Sequence, residues 1–358
     1  WANSVYSLVI SSAVFPIFYE ALFSERSHYI TVLGFSLKNS ALISFVTAFA
    51  FLVVAFISPL LSGISDYVGN KKSFMKFFCY LGALSCFGLY WFSLENIYLS
   101  LVFYFLGLVG FWGSWVFYNS YLPEVAHPED QDRVSAKGFI LGYTGSIILL
   151  IINLGMILKP ELLGITSGAA SQISFVMVGL WWLGFAQITF RRLPNNIFDK
   201  KPEKDYIWKG FKELKIVGNE IKNYPTLKRF LYAFFSLSVG VQTIILLATI
   251  FGSTELGLGT VNLIITVLLI QIVAIFGAWF FSNFSERYGN FKALKVTVLI
   301  WVLVCLAAFN LHKELPNVDV LFYGLGGVLG LVLGAIQSLT RSTYSKLLPE
   351  TEDHATYF

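Results

Sequence analysis

The sequence predicts an all-α membrane protein, a bundle of spanning helices arranged as two parallel six-helix halves. Three features predict it. Hydrophobic residues make up 56% of the chain and charged residues only 13%, where a soluble globular domain carries roughly 25% charged residues. Apolar runs of about twenty residues recur, the length at which a helix rising about 1.5 Å per residue crosses a hydrocarbon core about 30 Å thick. Two short polar segments also repeat at nearly one offset, the mark of an internal duplication.

Ten spans are expected, in order 1–23, 41–61, 74–93, 97–118, 136–158, 172–190, 230–251, 259–281, 293–311 and 318–339. A closed β-barrel is the other structure a bilayer permits, but it needs alternating strands, and these runs are continuous. The first span is too long and lacks the flanks of a cleaved signal peptide. The chain opens on Trp1 without Met, so a fragment of a longer protein is expected. Cys79, Cys86 and Cys305 fall inside spans with no metal or redox spacing and read as small apolar residues.

Of the 25 Lys and Arg, only Arg26, Lys38, Lys159 and Lys313 fall on one side of the expected membrane, which leaves 21 on the other. By the positive-inside rule the basic loops and the amino terminus face the cytoplasm. This asymmetry accounts for the net charge of +4 without a nucleic-acid partner. The longest basic loop, 191–229, separates an amino-terminal half (1–190) from a carboxy-terminal half (230–358) with four spans. Within it Ile207, Phe211, Leu214, Val217 and Ile221 recur at helical spacing, with Lys209, Lys212, Lys215, Asn219 and Lys222 on other faces. That pattern predicts an amphipathic helix on the cytoplasmic membrane surface, serving as a linker.

SGISDYVGNKK at 62–72 is echoed by SNFSERYGNFK at 282–292, so that Ser65 meets Ser285, Asp66 meets Glu286, Gly69 meets Gly289 and Asn70 meets Asn290. Leu122, Pro123 and Glu124 are echoed by Leu348, Pro349 and Glu350. The first echo follows spans two and eight and the second follows spans four and ten, so the repeating unit is six helices. Two more helices are expected beyond Phe358.

The loop after span two resembles the signature loop of major facilitator transporters, with Ser62 in place of its first Gly and Tyr67 and Asn70 in place of its two Arg. WANS at 1–4, FPIF at 15–18, FYNSYLPEVA at 117–126, DRVSAKGFILGYTGS at 132–146, GVQTI at 240–244 and GAIQSLTRSTYSKLLPE at 334–350 are similar to the vacuolar-effluxer branch of that superfamily. That branch holds autophagy-related amino-acid effluxers of fungi and their bacterial relatives. The resemblance implies a major facilitator fold and a secondary transporter that moves a small polar solute, such as an amino acid, by alternating access. It implies a vacuolar membrane if the chain is fungal and the plasma membrane if bacterial. Many members carry Asn-Asp before the Gly of the GVQT block, where this chain has Ser238 and Val239. A carboxylate able to carry a proton or bind a substrate amine is therefore missing at that point.

The signature residues Asp66, Gly69, Lys71 and Lys72, with Glu286, Arg287 and Gly289 in the echo, are expected to form gate latches on the cytoplasmic side. The two Gly permit tight turns at positive φ, and the two acids can accept hydrogen bonds from a neighbouring helix amino terminus or pair with cations. Polar groups at mid-depth are the candidate solute contacts: Ser11, Ser12, Tyr143, Thr144, Asn153, Gln242 and Gln271. An interhelical hydrogen bond is the alternative for each. Glu20, near the outer end of span one, is a candidate for coupling. Gly326, Gly330 and Gly334 read as close helix packing.

His28, His127, His312 and His354 are scattered, and no hydrolase, metalloprotease or P-loop pattern occurs, so no enzyme, cofactor or metal site is expected. HPEDQD at 127–132 reads as a polar turn. The expected partners are a small-molecule solute and the lipid bilayer, with protons a candidate coupling ion, and a monomer is expected. A sensor or lipid-handling protein on the same fold is the alternative.

Overall fold

The computed structural model describes residues 1–23, 29–32, 34–68, 70–194, 206–349 and 355–357. Gly69, among the latch residues, lies outside them, as do His28, Glu350 and His354. A π-helical stretch Tyr6–Ala13 leads into α1 (Val14–Ala21). There follow β1 (Tyr29–Val32), β2 (Phe35–Lys38), α2 (Asn39–Val68), α3 (Lys71–Gly88) and α4 (Ile97–Asn119). Next come a short α5 (Leu122–Val125), α6 (Gln131–Leu158), α7 (Ser167–Arg192) and α8 (Tyr206–Glu220). The last four helices are α9 (Pro225–Thr254), α10 (Thr260–Tyr288), α11 (Asn290–Phe309) and α12 (Val318–Leu347), and a helical turn occupies Ala355–Tyr357.

Helices overlap all ten expected segments. Among the described residues eight of them, α2, α3, α4, α6, α7, α10, α11 and α12, are long and apolar enough to cross a membrane. Two departures from the sequence reading have local causes. The all-α expectation is corrected by an antiparallel hairpin in which Tyr29 pairs with Lys38 and Val32 with Phe35. Its strands are rich in β-branched and aromatic residues, and Gly34 supplies a positive φ of 83° in the turn. The first span is not one regular helix. Pro16 removes a backbone donor and crowds the carbonyl four residues earlier, and the backbone before it widens, with Val14 N–H bonding to the Val9 carbonyl five residues back.

The chain divides into two compact units. One comprises Trp1, Leu122–Ile147 and Asn219–Glu350. Its backbone crossing of α10 and α12 is made by glycines: a Cβ at Gly277 would meet the Leu331 carbonyl oxygen, one at Gly330 that of Ile270, and one at Gly334 that of Ala274. The small-residue spacing read in span ten therefore sets how closely two helix backbones approach. Phe230, Phe281, Leu294 and Leu339 pack at one level of this unit, and Val241, Trp301, Leu333 and Ile336 at another.

The other unit comprises Ala2–Tyr121, Ile148–Gly218 and Thr351–Phe358. Here α3 and α4 touch at Gly82 and Gly110, where a Cβ on Gly110 would strike the Gly82 backbone. Trp182 of α7 lies over Gly82, and the Tyr6 ring stacks on Phe111 at 5.1 Å and tilts against Trp182 at 5.6 Å. Phe15 stacks on Tyr104 at 4.5 Å and meets Phe92 edge-on at 5.3 Å. Such pairs favour one register over others, which apolar area alone does not do among lipid-like side chains.

Candidate functional site

Polar groups gather at two places where helix ends meet, and each joins residues from the two halves assigned by sequence. The first lies at the start of α6. Asp132, only 1% exposed, pairs with Lys346 Nζ of α12 at 2.7 Å. Asp132 also accepts hydrogen bonds from Ser285 Oγ at 2.8 Å and Asn290 Nδ2 at 2.6 Å. Asn290 in turn accepts from Lys346 Nζ and bonds Thr343. A buried carboxylate is tolerable only when its lone pairs are taken up in this way. An open cleft of about 480 Å³ beside it is lined by Glu129, Asp130, Arg133 and Glu286 as well.

The contacts continue along the same two helices. Ser135 Oγ donates to the Ser338 carbonyl at 2.7 Å. Arg341 donates from Nε to Ser135 Oγ and from Nη2 to the Ser135 carbonyl, both at 3.0 Å, and lies over the Phe139 ring. Further along, Tyr143 Oη donates to Gln337 Oε1 at 2.6 Å. Asp132, Ser135, Phe139 and Tyr143 are spaced by three or four residues, which places them on one face of α6.

The second place is the end of α2. Asp66, 8% exposed, accepts bonds from the backbone N–H groups of Ala355 and Thr356 and from the Thr356 hydroxyl. Ala355 and Thr356 are the first two residues of the helical turn Ala355–Tyr357. Lys72 Nζ caps the far end of α7 through the Leu193 carbonyl at 2.9 Å, and Lys71 Nζ lies 4.5 Å from the Tyr121 ring centre. Burial pushes the Tyr121 hydroxyl up to about 12, so this ring stays neutral beneath the cation.

The sequence echo has a structural counterpart. Ser65 and Ser285 are both buried, and each donates to the carbonyl three residues back at 2.8 Å. Gly289 takes the expected positive φ, 89°, between α10 and α11. The echo differs in its acid, because Glu286 and Arg287 are exposed. Ser285 and Asn290 make the bridge instead, and the acid that they bind is Asp132 on α6. Asp132, Ser135, Gln337, Arg341 and Lys346 were not singled out individually, although the two family blocks at 132–146 and 334–350 contain all five.

The mid-depth candidates separate. Tyr143 is in the chain of contacts above, and Thr144 returns its hydroxyl to the Ile140 carbonyl. Ser12 donates to the Ser7 carbonyl within the π-helical stretch, and Ser11 is half-buried beside it. Asn153 is fully buried, and neither atom of its amide has a partner among the described residues. Gln271 is half-buried and Gln242 exposed. Glu20 is exposed and accepts from Asn39 Nδ2 at 3.0 Å, tying the end of α1 to the start of α2. Among the described residues no group of three or more His, Cys, Asp or Glu is placed to hold a metal.

A family model described as "Vacuole effluxer Atg22 like" matches residues 1–358. An uncharacterized MFS-type transporter of Bacillus subtilis is 34% identical across 100% of this chain and 81% of its own length. Autophagy-related protein 22-1 of Penicillium rubens is 25% identical over 63% of this chain, and the match spans 40% of that protein. Among solved structures, the E. coli fucose:proton symporter superposes with a TM-score of 0.63 at 14% identity over 97% of this chain and 85% of its own. An outward-facing bacterial homologue of the iron transporter ferroportin gives 0.55 at 15% identity, covering 99% of this chain and 85% of its own. At those identities the structures speak for the fold alone. A chain that is almost wholly helical over its described residues, with eight membrane-length apolar helices among them, a doubled signature loop and a family match from end to end, belongs to the vacuole-effluxer branch of the major facilitator superfamily and is an integral membrane protein of transporter type.

Proposed function

We infer that the protein is a secondary active transporter that moves a small polar solute, an amino acid or similar zwitterion, by alternating access. The observation that carries this reading is the pair of buried carboxylates, Asp132 and Asp66, each bonded to groups from the other sequence-assigned half. The loop charge asymmetry in the sequence assigns the segments of both to the cytoplasmic side. Contacts made on one face only strengthen when that face closes and are lost when it opens, so they bias a two-state equilibrium. These two favour the outward-facing state.

The wider picture is ten spans in this chain, a cytoplasmic amino terminus, action as a monomer in the bilayer and protons as the coupling ion. Tyr143 and Gln337 are the solute contacts best supported, by their mutual bond, and Asn153, buried with no partner among the described residues, is a separate candidate. A thermal-shift screen against amino acids, short peptides, nucleosides and sugars tests the solute class, because a ligand that binds only the folded state raises its melting temperature. An amino-acid response is expected, and a response confined to sugars would refute that class. Binding without any flux in proteoliposomes would mark a sensor instead.

A further inference from the structure

Arg341 sits on α12 six residues before its last residue, Leu347. Its Nε and Nη2 are the side-on pair of the guanidinium fork, whose parallel N–H groups match the two oxygens of a carboxylate. In the structure both members of that pair donate to Ser135. Ser135 offers its hydroxyl to Nε and its carbonyl to Nη2, both at 3.0 Å, so its two oxygens stand where a carboxylate would put its own. Both are neutral, and the carbonyl belongs to helix α6, whose own hydrogen-bond ladder also uses it. The Phe139 ring, 4.8 Å from the guanidinium carbon, supports the cation from its face.

We propose that Arg341 is the carboxylate-recognising residue of the transport path. When α12 draws away from α6, the fork exchanges Ser135 for the carboxylate of the solute, so the cargo class is carboxylate-bearing. Ser135 is the positioning residue: it keeps the fork shaped for two oxygens and competes with the solute for it. This rests on the transporter reading above.

The test uses the full chain in proteoliposomes, with a labelled mixture of the common amino acids as cargo and the matching α-amides as competitors. The wild type is expected to transport the acids, with the amides competing about tenfold or more weakly. Arg341→Lys keeps the charge but loses the fork. It should raise KM for the acids about tenfold or more, as expected for a lost charge-assisted hydrogen bond, while amide competition is unchanged. Ser135→Ala removes one competitor and should lower KM for the acids, and it decides the matter if Arg341→Lys does not fold. Equal competition by acids and amides would overturn the proposal, as would a fall in maximal rate in Arg341→Lys with the acid-to-amide ratio intact, or an unchanged KM in Ser135→Ala. Flux of sugars or nucleosides without amino acids would overturn the carboxylate assignment and leave the transporter standing. Ligand binding with no flux of any solute would overturn the transporter reading itself.

Discussion

Replacing Asp132 with Asn keeps the shape of a side chain that is 1% exposed but removes its charge. The ion pair with Lys346 at 2.7 Å is lost, and the bonds from Ser285 and Asn290 now reach a neutral amide. At an effective dielectric of about 20, Coulomb attraction at this distance is about 6 kcal/mol, most of it offset by desolvation. Removing one partner of a buried pair costs about 3–5 kcal/mol. Lys346 is 25% exposed and regains water, so about 3 kcal/mol is the better figure. At about 1.4 kcal/mol per factor of ten, the equilibrium moves roughly a hundredfold toward the state in which α6 and α12 part. The assay is alkylation of Ser338→Cys, at a position 1% exposed beside this seam, with Cys79, Cys86 and Cys305 replaced by Ala. Asn at position 132 should raise the rate from the cytoplasmic side by up to about a hundredfold. Lys346→Gln should do nearly the same, and the double variant should go little further than either. A rate within about twofold of the parent would refute the latch.

Other substitutions separate the remaining roles. Asp66→Asn weakens three bonds to Ala355 and Thr356, and at about 1.5–3 kcal/mol for bonds to a charged group it should shift the inward population and slow transport. If both are unchanged, that contact is not a latch. Gly334→Ala forces a Cβ onto the Ala274 carbonyl, whereas Gly324→Ala meets open space. The first should lose about 1–3 kcal/mol of stability as a lowered melting temperature and the second should lose none. Asn153→Leu removes a fully buried amide that has no partner among the described residues. Melting temperature should rise, in line with about 1–3 kcal/mol for a relieved polar group, while transport is lost; retained transport would show that Asn153 does not touch the solute. Tyr143→Phe breaks one interhelical bond to Gln337, worth about 0.6 kcal/mol in a membrane, so KM should rise severalfold with little change in melting temperature.

Most of the helical plan was legible because the bilayer leaves few choices: a twenty-residue apolar run has to satisfy its own backbone. The glycines of α12 were legible for the same kind of reason, since only small residues let two helix backbones touch. The π-helical widening before Pro16 was not, because proline marks a disturbance without fixing its form. The hairpin at 29–38 is only four residues per strand, too short for its alternation to stand out beside the long apolar runs. At the candidate site, Asp66 was found through its loop motif. Asp132 and Lys346 were passed over because each looks like an ordinary charge at a helix end, and only folding brings together residues 214 positions apart in sequence. Glu286 drew notice through alignment with Asp66, yet the echo preserves the serine and glycine geometry while the acid moves to another helix.

Entrance counterflow tests the transporter most directly. Vesicles holding the purified protein and a high concentration of unlabelled amino acid are placed in a trace of the labelled form, with no ion gradient. A carrier that alternates access accumulates label transiently inside, above its outside concentration, and the Asp132→Asn protein gives an altered overshoot. Label that only equilibrates, or stays at the level of protein-free vesicles while binding is intact, would contradict alternating access by this fold.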